Sequence, residues 1–328
     1  MSERSGRLVY HNGTFVDELD ARISIYDSAL MFGDMVFEMT RSFNKKQFKL
    51  KQHIDRLFHG IKILEIPINI SPEELEKICF ETIEKNEHLF LDDDEHRLMI
   101  NVSRGPLGIY SHLFENGAEP TVIVSDFPLR WTVSTFAKYY EKGINSVITS
   151  QRAIPASLMD PKIKNRSRMW YQMANIEASK VKGNDNWALL LDTDGFIAEG
   201  TGDNFFIIKD GKIYTPEGRN ILRGISRDYI FELAEQLNIE CYEKNIEPYD
   251  VYLADEAFLT GTPFCILPTT YLNGKEIGNG KMGKITENLL DKWSQNVDLD
   301  IMKQIRSYYV EPEKNNIKQA PSPYQFKG

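Results

Sequence analysis

Alternating apolar and polar residues predict β-strands at several places in the first 125 residues. Residues 7–15 (LVYHNGTFV) alternate around Asn12 and Gly13, a dipeptide that favours the tight turn of a β-hairpin. Residues 40–50 alternate in the same way and are expected to turn at Asn44-Lys45. Two further apolar runs of strand length follow, at 97–103 and 121–125.

Helical spacing of apolar residues predicts two helices between those strands. In residues 53–64 (HIDRLFHGIKIL) the apolar positions recur on one helical face. Ser71, Pro72 and Glu74 are typical of the N-cap, the first and the third position of a helix, and that helix is expected to run to about Asn86. The first 125 residues therefore predict an α+β unit.

A second set of apolar runs predicts a second unit. Helices are expected over 167–181 and over 226–237, the latter capped by Ser226. Strands are expected at 144–149, 187–192, 196–198, 204–214 and 256–260, with Asp-Gly turns at 194–195 and 210–211.

The two sets of elements predict a two-domain α/β protein of the α+β type. The N-terminal domain is expected at 1–127 and the C-terminal domain at 137–306. Residues 128–136 have weak periodicity, which favours a linker, and the polar, proline-bearing residues 307–328 are expected to form a mobile tail.

Composition narrows the function classes. The 328 residues include 39 Lys and Arg against 48 Asp and Glu, and a net charge of −9 without basic blocks disfavours general nucleic-acid binding. Apolar residues make up 41% of the chain, which excludes wholesale disorder. The longest apolar runs, such as WALLL at 187–191, fall far short of the ~18 residues of a membrane helix. The polar N-terminus predicts no signal peptide.

Metal and nucleotide sites have little support in the sequence. The three cysteines are scattered and form neither a disulfide framework nor a zinc motif, which fits free thiols in a reducing cytoplasm. The six histidines show no metal-ligand spacing, so no metal is expected. GxGxxG, P-loop and GxSxG motifs are absent.

Four short polar segments at the ends of predicted elements remain as candidates. They are Glu199 in IAEGTGDN, the Gly224-Ile-Ser-Arg sequence before a helix, the turn Thr260-Gly-Thr262, and Lys164 in the basic stretch 161–168. Such residues can supply a carboxylate, helix N–H groups, a hydroxyl and an amine to an anionic ligand. Each of them taken alone is better explained as a turn, a helix cap or a solvated loop.

Together, these segments resemble the fold type IV pyridoxal-phosphate enzymes, which comprise branched-chain aminotransferases, D-amino-acid aminotransferases and aminodeoxychorismate lyases. The resemblance covers most of residues 8–300. It is carried in family order by FGDMVFE (32–38), HIDRL (53–57), KIKN (162–165), IAEGTGDN (197–204), LRGISRD (222–228) and ADEAFLTGT (254–262). It implies a pyridoxal 5'-phosphate cofactor in the cleft between the two domains.

The resemblance also implies roles for particular residues. Lys164 matches the lysine that bonds the cofactor and moves the proton, with Lys162 as the rival. Glu199 matches the carboxylate on the pyridine nitrogen. The phosphate is expected to be bound by Arg56, by the backbone N–H groups of Ile225 and Ser226, and by the Thr262 hydroxyl.

Residues near the expected substrate pocket bear on which branch of the family this chain resembles. Phe37 and Arg41 match residues of the branched-chain enzymes, and Arg97 falls on the strand where those enzymes carry an arginine near the substrate carboxylate. Pro263 departs from that pattern because proline cannot offer the backbone N–H that the branched-chain enzymes use there. The helix after Lys164 lacks their tyrosine near the cofactor oxygen, and Arg168 stands about there instead.

The resemblance therefore implies an aminotransferase of branched-chain amino-acid biosynthesis that acts on L-amino acids and 2-oxo acids such as 2-oxoglutarate. A D-amino-acid or amine transaminase, a lyase, and a non-catalytic cofactor-binding relative stay open. Phe37, Arg41, Arg97, Tyr110 and Arg168 are the expected substrate-binding residues. A cytoplasmic homodimer is expected, with Tyr110 in a loop that covers the partner's pocket, and neither nucleic acid nor membrane is an expected partner.

Overall fold

The chain forms two compact units in a computed structural model that describes residues 5–183 and 185–309. One unit contains the described residues up to Leu129 together with Ile163–Arg168, and the other contains Arg130–Lys162 and the described residues from Met169 onward. The sequence placed Lys164 in the second domain, but the contacts of its segment group it with the first unit. The remaining domain limits stay a prediction.

The first unit is built on an antiparallel sheet. Its strands are β1 (Leu8–His11), β2 (Thr14–Asp17), β3 (Met35–Met39), β4 (Ser42–Phe43), β5 (Lys46–Gln47), β6 (His96–Ser103) and β7 (Thr121–Pro128). Five of them pair in the order β2-β1-β7-β6-β3, and β4 and β5 form a separate hairpin. Its α-helices are α1 (Ser28–Phe32), α2 (Leu50–Ile63) and α3 (Pro72–Asn86), and 3-10 turns lie at Glu87–Leu89 and Gly108–Leu113.

One face of this sheet forms the core of the first unit. Val36, Leu98 and Ile100 point to that face and pack with buried residues of α2 and α3, such as Leu57 and Leu75. Because successive strand residues alternate between faces, the neighbours of these core residues point to the opposite face. That second face includes Phe37 on β3 and Arg97, Met99 and Asn101 on β6.

Local turn and cap signals of the first unit are confirmed. β1 and β2 turn at Asn12 and Gly13, which both have positive φ, as the predicted hairpin requires. β4 and β5 turn at Asn44-Lys45. Helix α3 begins with the predicted capping box, in which the Ser71 and Glu74 side chains accept from each other's backbone N–H.

The second unit contains a strand path that closes on itself. Its strands are β8 (Ile144–Arg152), β9 (Asn186–Leu191), β10 (Ile197–Gly200), β11 (Asn204–Lys209), β12 (Lys212–Thr215), β13 (Cys241–Glu243), β14 (Glu256–Gly261), β15 (Cys265–Leu272) and β16 (Lys275–Glu276). Eight of them pair in the order β10-β9-β8-β15-β14-β11-β12-β13, and β10 also pairs with β11. The ninth strand, β16, pairs with β15. The pairing of β10 with β11 brings residues 199 and 204 opposite each other.

Short and long helices complete the second unit. They are α4 (Arg130–Val133), α5 (Ala137–Lys142), α6 (Met169–Ser179), α7 (Ile225–Gln236), α8 (Pro248–Tyr252), α9 (Lys284–Asn296) and α10 (Ile301–Ser307). Helix α6 packs on β8 and β9 through Tyr171, Ala174 and Ala178.

The segment expected to be a linker differs from that expectation. Within 128–136 the chain forms α4, and Val133 and Phe136 are buried. Phe136 packs against Trp187 and Phe264 with ring centroids 5.6 and 6.1 Å apart. Four helical residues are too few to produce a periodic pattern, so no sequence signal reveals this anchor. Of the predicted tail, 310–328 lies outside the described residues.

A buried histidine in the first unit sits between two carboxylates. His96 is fully buried, its Nδ1 lies 2.8 Å from Asp126 Oδ2 and its Nε2 lies 2.6 Å from Glu87 Oε2. Burial alone lowers the pKa of His96, but the hydrogen bond and charge of Asp126 and the charge of Glu87 outweigh it and raise that pKa above its ordinary value. The folded protein therefore favours the protonated imidazole.

This histidine predicts a pH-dependent stability. Its stabilising effect is complete below the unfolded-state pKa of about 6.5 and is lost as the pH rises through the higher folded-state value. Charge-assisted hydrogen bonds contribute about 1.5–3 kcal/mol each. We expect the free energy of unfolding, measured by urea titration from pH 5.5 to 9, to fall over this range relative to that of His96→Gln. A constant difference between the two proteins at every pH would contradict the prediction.

Candidate active site

Lys164 lies on a segment that is attached to the edge strand of the first unit. The Phe37 backbone N–H donates to the Lys164 carbonyl at 2.9 Å, and the Arg166 N–H donates to the Met35 carbonyl at 3.1 Å. Asn165 forms a β-bridge with Val36. The Lys164 Nζ lies 4.9 Å from the centroid of the Phe37 ring. Pairing with β3 therefore fixes the position of the lysine backbone.

The rival lysine has a different environment. Lys162 belongs to the second unit, where its Nζ forms an ion pair with Asp160 at 2.8 Å and donates to the Arg219 carbonyl at 3.2 Å. Its amine is bound to a neighbouring carboxylate and to a carbonyl of a distant segment of the same unit, whereas the Lys164 amine lies beside a buried aromatic ring. The contrast favours Lys164 as the reactive amine.

Arg56 is held by a buried carboxylate on β3. Its Nε and Nη2 donate to the two Glu38 oxygens at 2.6 and 2.8 Å, and His53 Nδ1 lies 2.8 Å from Glu38 Oε2. Burial alone raises the pKa of Glu38, but Arg56 and His53 outweigh it and hold that pKa well below its ordinary value. Burial also lowers the pKa of His53. The Arg56 guanidinium is therefore oriented before any ligand binds.

Several cations surround Phe37 on the second face of the sheet. The Arg166 Cζ lies 3.6 Å and the Arg168 Cζ 5.2 Å from the Phe37 ring centroid. Arg97 is on the same face, with its Nη2 3.7 Å from the Met39 Sδ. The structure therefore brings together Phe37, Lys164 and Arg168, with Arg97 farther along the face, and adds Arg166, which sequence reasoning missed.

Two other expected substrate-binding residues have different surroundings. Arg41 is buried, with its Cζ 3.8 Å from the Phe43 ring centroid, and its Nε donates to the Ser42 carbonyl at 3.2 Å. Tyr110 lies in the 3-10 turn Gly108–Leu113, with its ring centroid 4.5 Å from that of Tyr26. Their substrate contacts stay a prediction.

In the second unit, Glu199 is a buried carboxylate with a defined set of donors. Its Oε1 accepts from the Tyr171 hydroxyl at 2.5 Å. Its Oε2 accepts from the Leu222 backbone N–H at 3.0 Å and from Asn204 Nδ2 at 3.3 Å. A buried carboxylate needs such donors to remain ionised. The interpretation of this segment as a solvated turn is therefore wrong.

Asn204 connects Glu199 to the start of helix α7. Its Nδ2 also donates to the Leu222 carbonyl at 2.9 Å, and a side chain at Gly224 would have its Cβ 2.2 Å from the Asn204 Oδ1. Only glycine fits at that position. The carboxylate and the first turn of α7 are thus held together by one amide side chain.

The predicted cap of this helix is wrong. The N-cap is Gly224, without a side-chain cap, and Ser226 is the second residue of the helix. The cap therefore lies two residues earlier than expected, at the glycine that Asn204 approaches closely. Ile225 and Ser226 consequently lie in the first turn, where backbone N–H groups have no acceptor within the helix and can bind an anion.

Thr262 lies in the turn between β14 and β15. Thr260, two residues earlier, pairs with Asn204, and Asn204 pairs in turn with Glu199. The turn therefore follows the end of β14 that lies level with Glu199 across β11. The Tyr140 hydroxyl donates to the Phe264 carbonyl at 2.6 Å and supports the far side of the turn. Glu199, the start of α7 and the Thr262 turn therefore belong to one region of the second unit.

Tyr171 and Arg166 are the residues that sequence reasoning missed. Tyr171 follows Lys164 by seven positions on α6, and its contact with Glu199 was unexpected because the helix was judged to lack a cofactor-site tyrosine. The basic stretch 161–168 contains Arg166 and could have indicated it as a further anion-binding residue beside Lys164 and Arg168.

Among the described residues, no helix is long and apolar enough to cross a membrane, and no group of three or more His, Cys, Asp and Glu could hold a metal ion.

Comparisons with known proteins identify the family of this chain. A model of the family described as amino-transferase class IV matches residues 35–271. A putative branched-chain-amino-acid aminotransferase of Methanocaldococcus jannaschii is 37% identical over 87% of this chain and 94% of its own length.

Solved structures of aminotransferases resemble the fold. The crystal structure of the Escherichia coli branched-chain amino acid aminotransferase matches with a TM-score of 0.78 and 29% identity over 87% of this chain and 92% of that one. The branched-chain aminotransferase of Thermoproteus uzoniensis with norvaline matches with a TM-score of 0.76 and 27% identity over 92% and 96%. Both have the two-domain α/β fold expected from the sequence. The chain therefore belongs to the class IV aminotransferases and is a transaminase.

Proposed function

We propose that this transaminase uses pyridoxal 5'-phosphate to move an amino group between a branched-chain L-amino acid and a 2-oxo acid such as 2-oxoglutarate. The observation that carries the proposal is the Glu199 carboxylate, buried with three donors and tied by Asn204 to the start of α7. A carboxylate with no ligand to bind could stay ionised simply by facing solvent. A carboxylate that is buried and held in one orientation suits a cationic ring nitrogen as its partner.

The residues present fit the cofactor. Pyridoxal phosphate carries a dianionic phosphate, a basic ring nitrogen and an aldehyde, and when bound it withdraws electrons from the substrate Cα. Glu199 would hold the ring nitrogen in its protonated form. The first-turn N–H groups of Ile225 and Ser226, the Thr262 hydroxyl and the Arg56 guanidinium would bind the phosphate.

Lys164 would carry the covalent link and the proton. Its amine is the group on the Phe37 face that can bond the aldehyde. When its Nζ is not bonded to the cofactor, Lys164 would act as the base that accepts the proton of the substrate Cα and holds it on Nζ. The pairing of residues 164–166 with β3 fixes the backbone that carries this amine.

The substrate class rests on relatives and on the pocket residues. Relatives of Pseudomonas aeruginosa and Escherichia coli, each 30% identical, are named branched-chain-amino-acid aminotransferases, and the 37% identical relative of Methanocaldococcus jannaschii is named a putative one. Phe37 would supply an apolar surface for a branched side chain, and the cations around it would attract carboxylates. Arg97, Arg41 and Arg168 are the sequence-predicted candidates for that role, with Arg97 as the first choice, and Tyr110 would complete the substrate pocket.

A cytoplasmic homodimer is part of the proposal. Ile25, Phe32 and Ile109 in the first unit are apolar and 66–71% exposed, and burial against another surface would remove them from water. A second copy of the chain fits that need.

A half-reaction screen tests the proposed substrates. The purified protein is mixed with single L-amino acids, D-amino acids or amines, and the loss of the cofactor absorbance is followed. We expect L-leucine, L-isoleucine, L-valine and L-glutamate to react fastest. Faster reaction of D-leucine or of 3-methylbutylamine would instead favour a D-amino-acid or amine transaminase, and a colourless protein would contradict the cofactor assignment.

A further inference from the structure

We propose that Arg166 binds the α-carboxylate of the substrate, an assignment that rests on the proposed function. Its guanidinium lies on Phe37, with Cζ 3.6 Å from the ring centroid, and its Nε and Nη2 donate to Asn101 Oδ1 at 3.3 and 3.0 Å. Nη2 also lies 3.3 Å from the Met99 Sδ. One face and one edge of the planar group are therefore fixed by neighbours on two strands.

Such fixation favours carboxylate binding. A guanidinium binds a carboxylate through paired N–H donors, and a group that is already oriented loses little conformational entropy on binding. Contact with an aromatic face leaves the positive charge intact. Arg166 is only partly buried, and the side-chain oxygen with which it is seen to bond, Asn101 Oδ1, belongs to a neutral amide.

The position of Arg166 relative to Lys164 selects the α-carboxylate. The Lys164 Nζ and the Arg166 Cζ lie 4.9 and 3.6 Å from the same ring centroid, so their separation cannot exceed the sum of those distances. The α-carboxylate is bonded directly to the carbon that reacts at Lys164. A cation two residues from that lysine, on the same ring, is within reach of it.

Arg97 is farther from the lysine. Phe37 pairs directly with Asn101, whereas Arg97 is four residues away on β6, about 13 Å along the strand. Arg97 is therefore better placed for a group more distant from Cα, such as the side-chain carboxylate of glutamate. Pro263 gives a further reason for a cationic side chain at the α-carboxylate, since a proline lacks the N–H donor that the branched-chain family is expected to use.

The test measures binding of an acid against its neutral analogue. The holoenzyme is titrated with 4-methylvaleric acid, which has the leucine skeleton without the amine, and with 4-methylvaleramide, and binding is followed by the cofactor absorbance. We expect Arg166→Met to weaken binding of the acid about 10- to 100-fold and to leave the amide unchanged. Arg166→Lys retains the positive charge but lacks the paired N–H donors of the guanidinium, so its affinity for the acid is expected to lie between those of the parent and of Arg166→Met.

Matched variants separate binding from packing. Arg22→Met removes an exposed arginine of the same unit and is expected to alter neither ligand. If Arg166→Met does not fold, Arg166→Gln keeps a polar side chain and gives the same comparison. Equal losses for acid and amide, or no loss for the acid, would overturn the assignment.

Single-turnover reactions distinguish the two carboxylates. Loss of the α-carboxylate contact raises the half-saturating concentration of both leucine and glutamate in Arg166→Met. A loss confined to glutamate would overturn the α-assignment in favour of the side-chain carboxylate, and Arg97→Met is expected to give that result. If the parent prefers another amino acid, the proposed substrate is wrong, and the corresponding acid and amide still test Arg166.

Discussion

Replacing Lys164 by alanine is expected to abolish transamination, while Lys162→Ala retains most of it. Lys164 would be both the covalent attachment point and the base at the substrate Cα, and loss of general acid–base catalysis alone costs about 10²–10⁴-fold in rate. Lys162 is the matched control, because it is a lysine two residues away whose amine is bound to Asp160 and to the Arg219 carbonyl. Turnover of leucine with 2-oxoglutarate measures both variants.

Peptide mapping after borohydride reduction identifies the attached lysine directly. The reduced cofactor should be found on the peptide that contains Lys164, with no adduct in Lys164→Ala. An adduct on Lys162, or a Lys164→Ala protein with normal turnover, would show that the wrong lysine was chosen.

Features set by neighbouring residues were predictable from the sequence. The Asn12-Gly13 hairpin and the capping box at Ser71 depend on contacts within a few residues, and both are present. The identity of the family came from several short motifs in a fixed order. Each motif alone, such as the Glu-Gly pair at 199–200, would have been interpreted as a turn.

Features that depend on distant segments were not predictable. Helix α7 begins at Ile225, after a glycine against which Asn204, about twenty residues earlier, packs, and no local signal reveals that contact. Arg166 reaches Asn101 only because residues 163–166 pair with the edge of β3. Helix α4 has four residues, about one turn, so no apolar position can recur along it in a recognisable pattern.

The same reasoning applies to electrostatics in the candidate site. HIDRL suggested a phosphate-binding arginine at 56, but not that Glu38 and His53 orient it. Likewise Glu199 was selected by its motif, whereas Tyr171 is seen beside it only in the folded chain. A sequence motif can identify the side chain that contacts the ligand. The neighbours that set the protonation state and orientation of that side chain are known only from the fold.

A large loss of turnover is also expected when Glu199 is replaced by glutamine. We expect the variant to keep the cofactor, because the phosphate contacts and Lys164 are untouched, and to lose about 10²–10³-fold in kcat with little change in KM. A neutral amide cannot stabilise a protonated ring nitrogen, so less negative charge can be withdrawn from the substrate Cα during proton removal.

Tyr171→Phe separates the carboxylate from its support. It removes the donor at 2.5 Å from Glu199 but leaves the carboxylate, the Asn204 amide and the Leu222 N–H in place. A lost hydrogen bond to a charged group costs about 1.5–3 kcal/mol, and part of that cost is recovered if water replaces the hydroxyl. Its kcat should therefore fall less than that of Glu199→Gln. Stopped-flow half-reactions with leucine measure both variants at equal cofactor content. Near-normal turnover in Glu199→Gln would remove Glu199 from the mechanism, because the amide preserves the shape of the carboxylate but lacks its charge and one of its two acceptor oxygens.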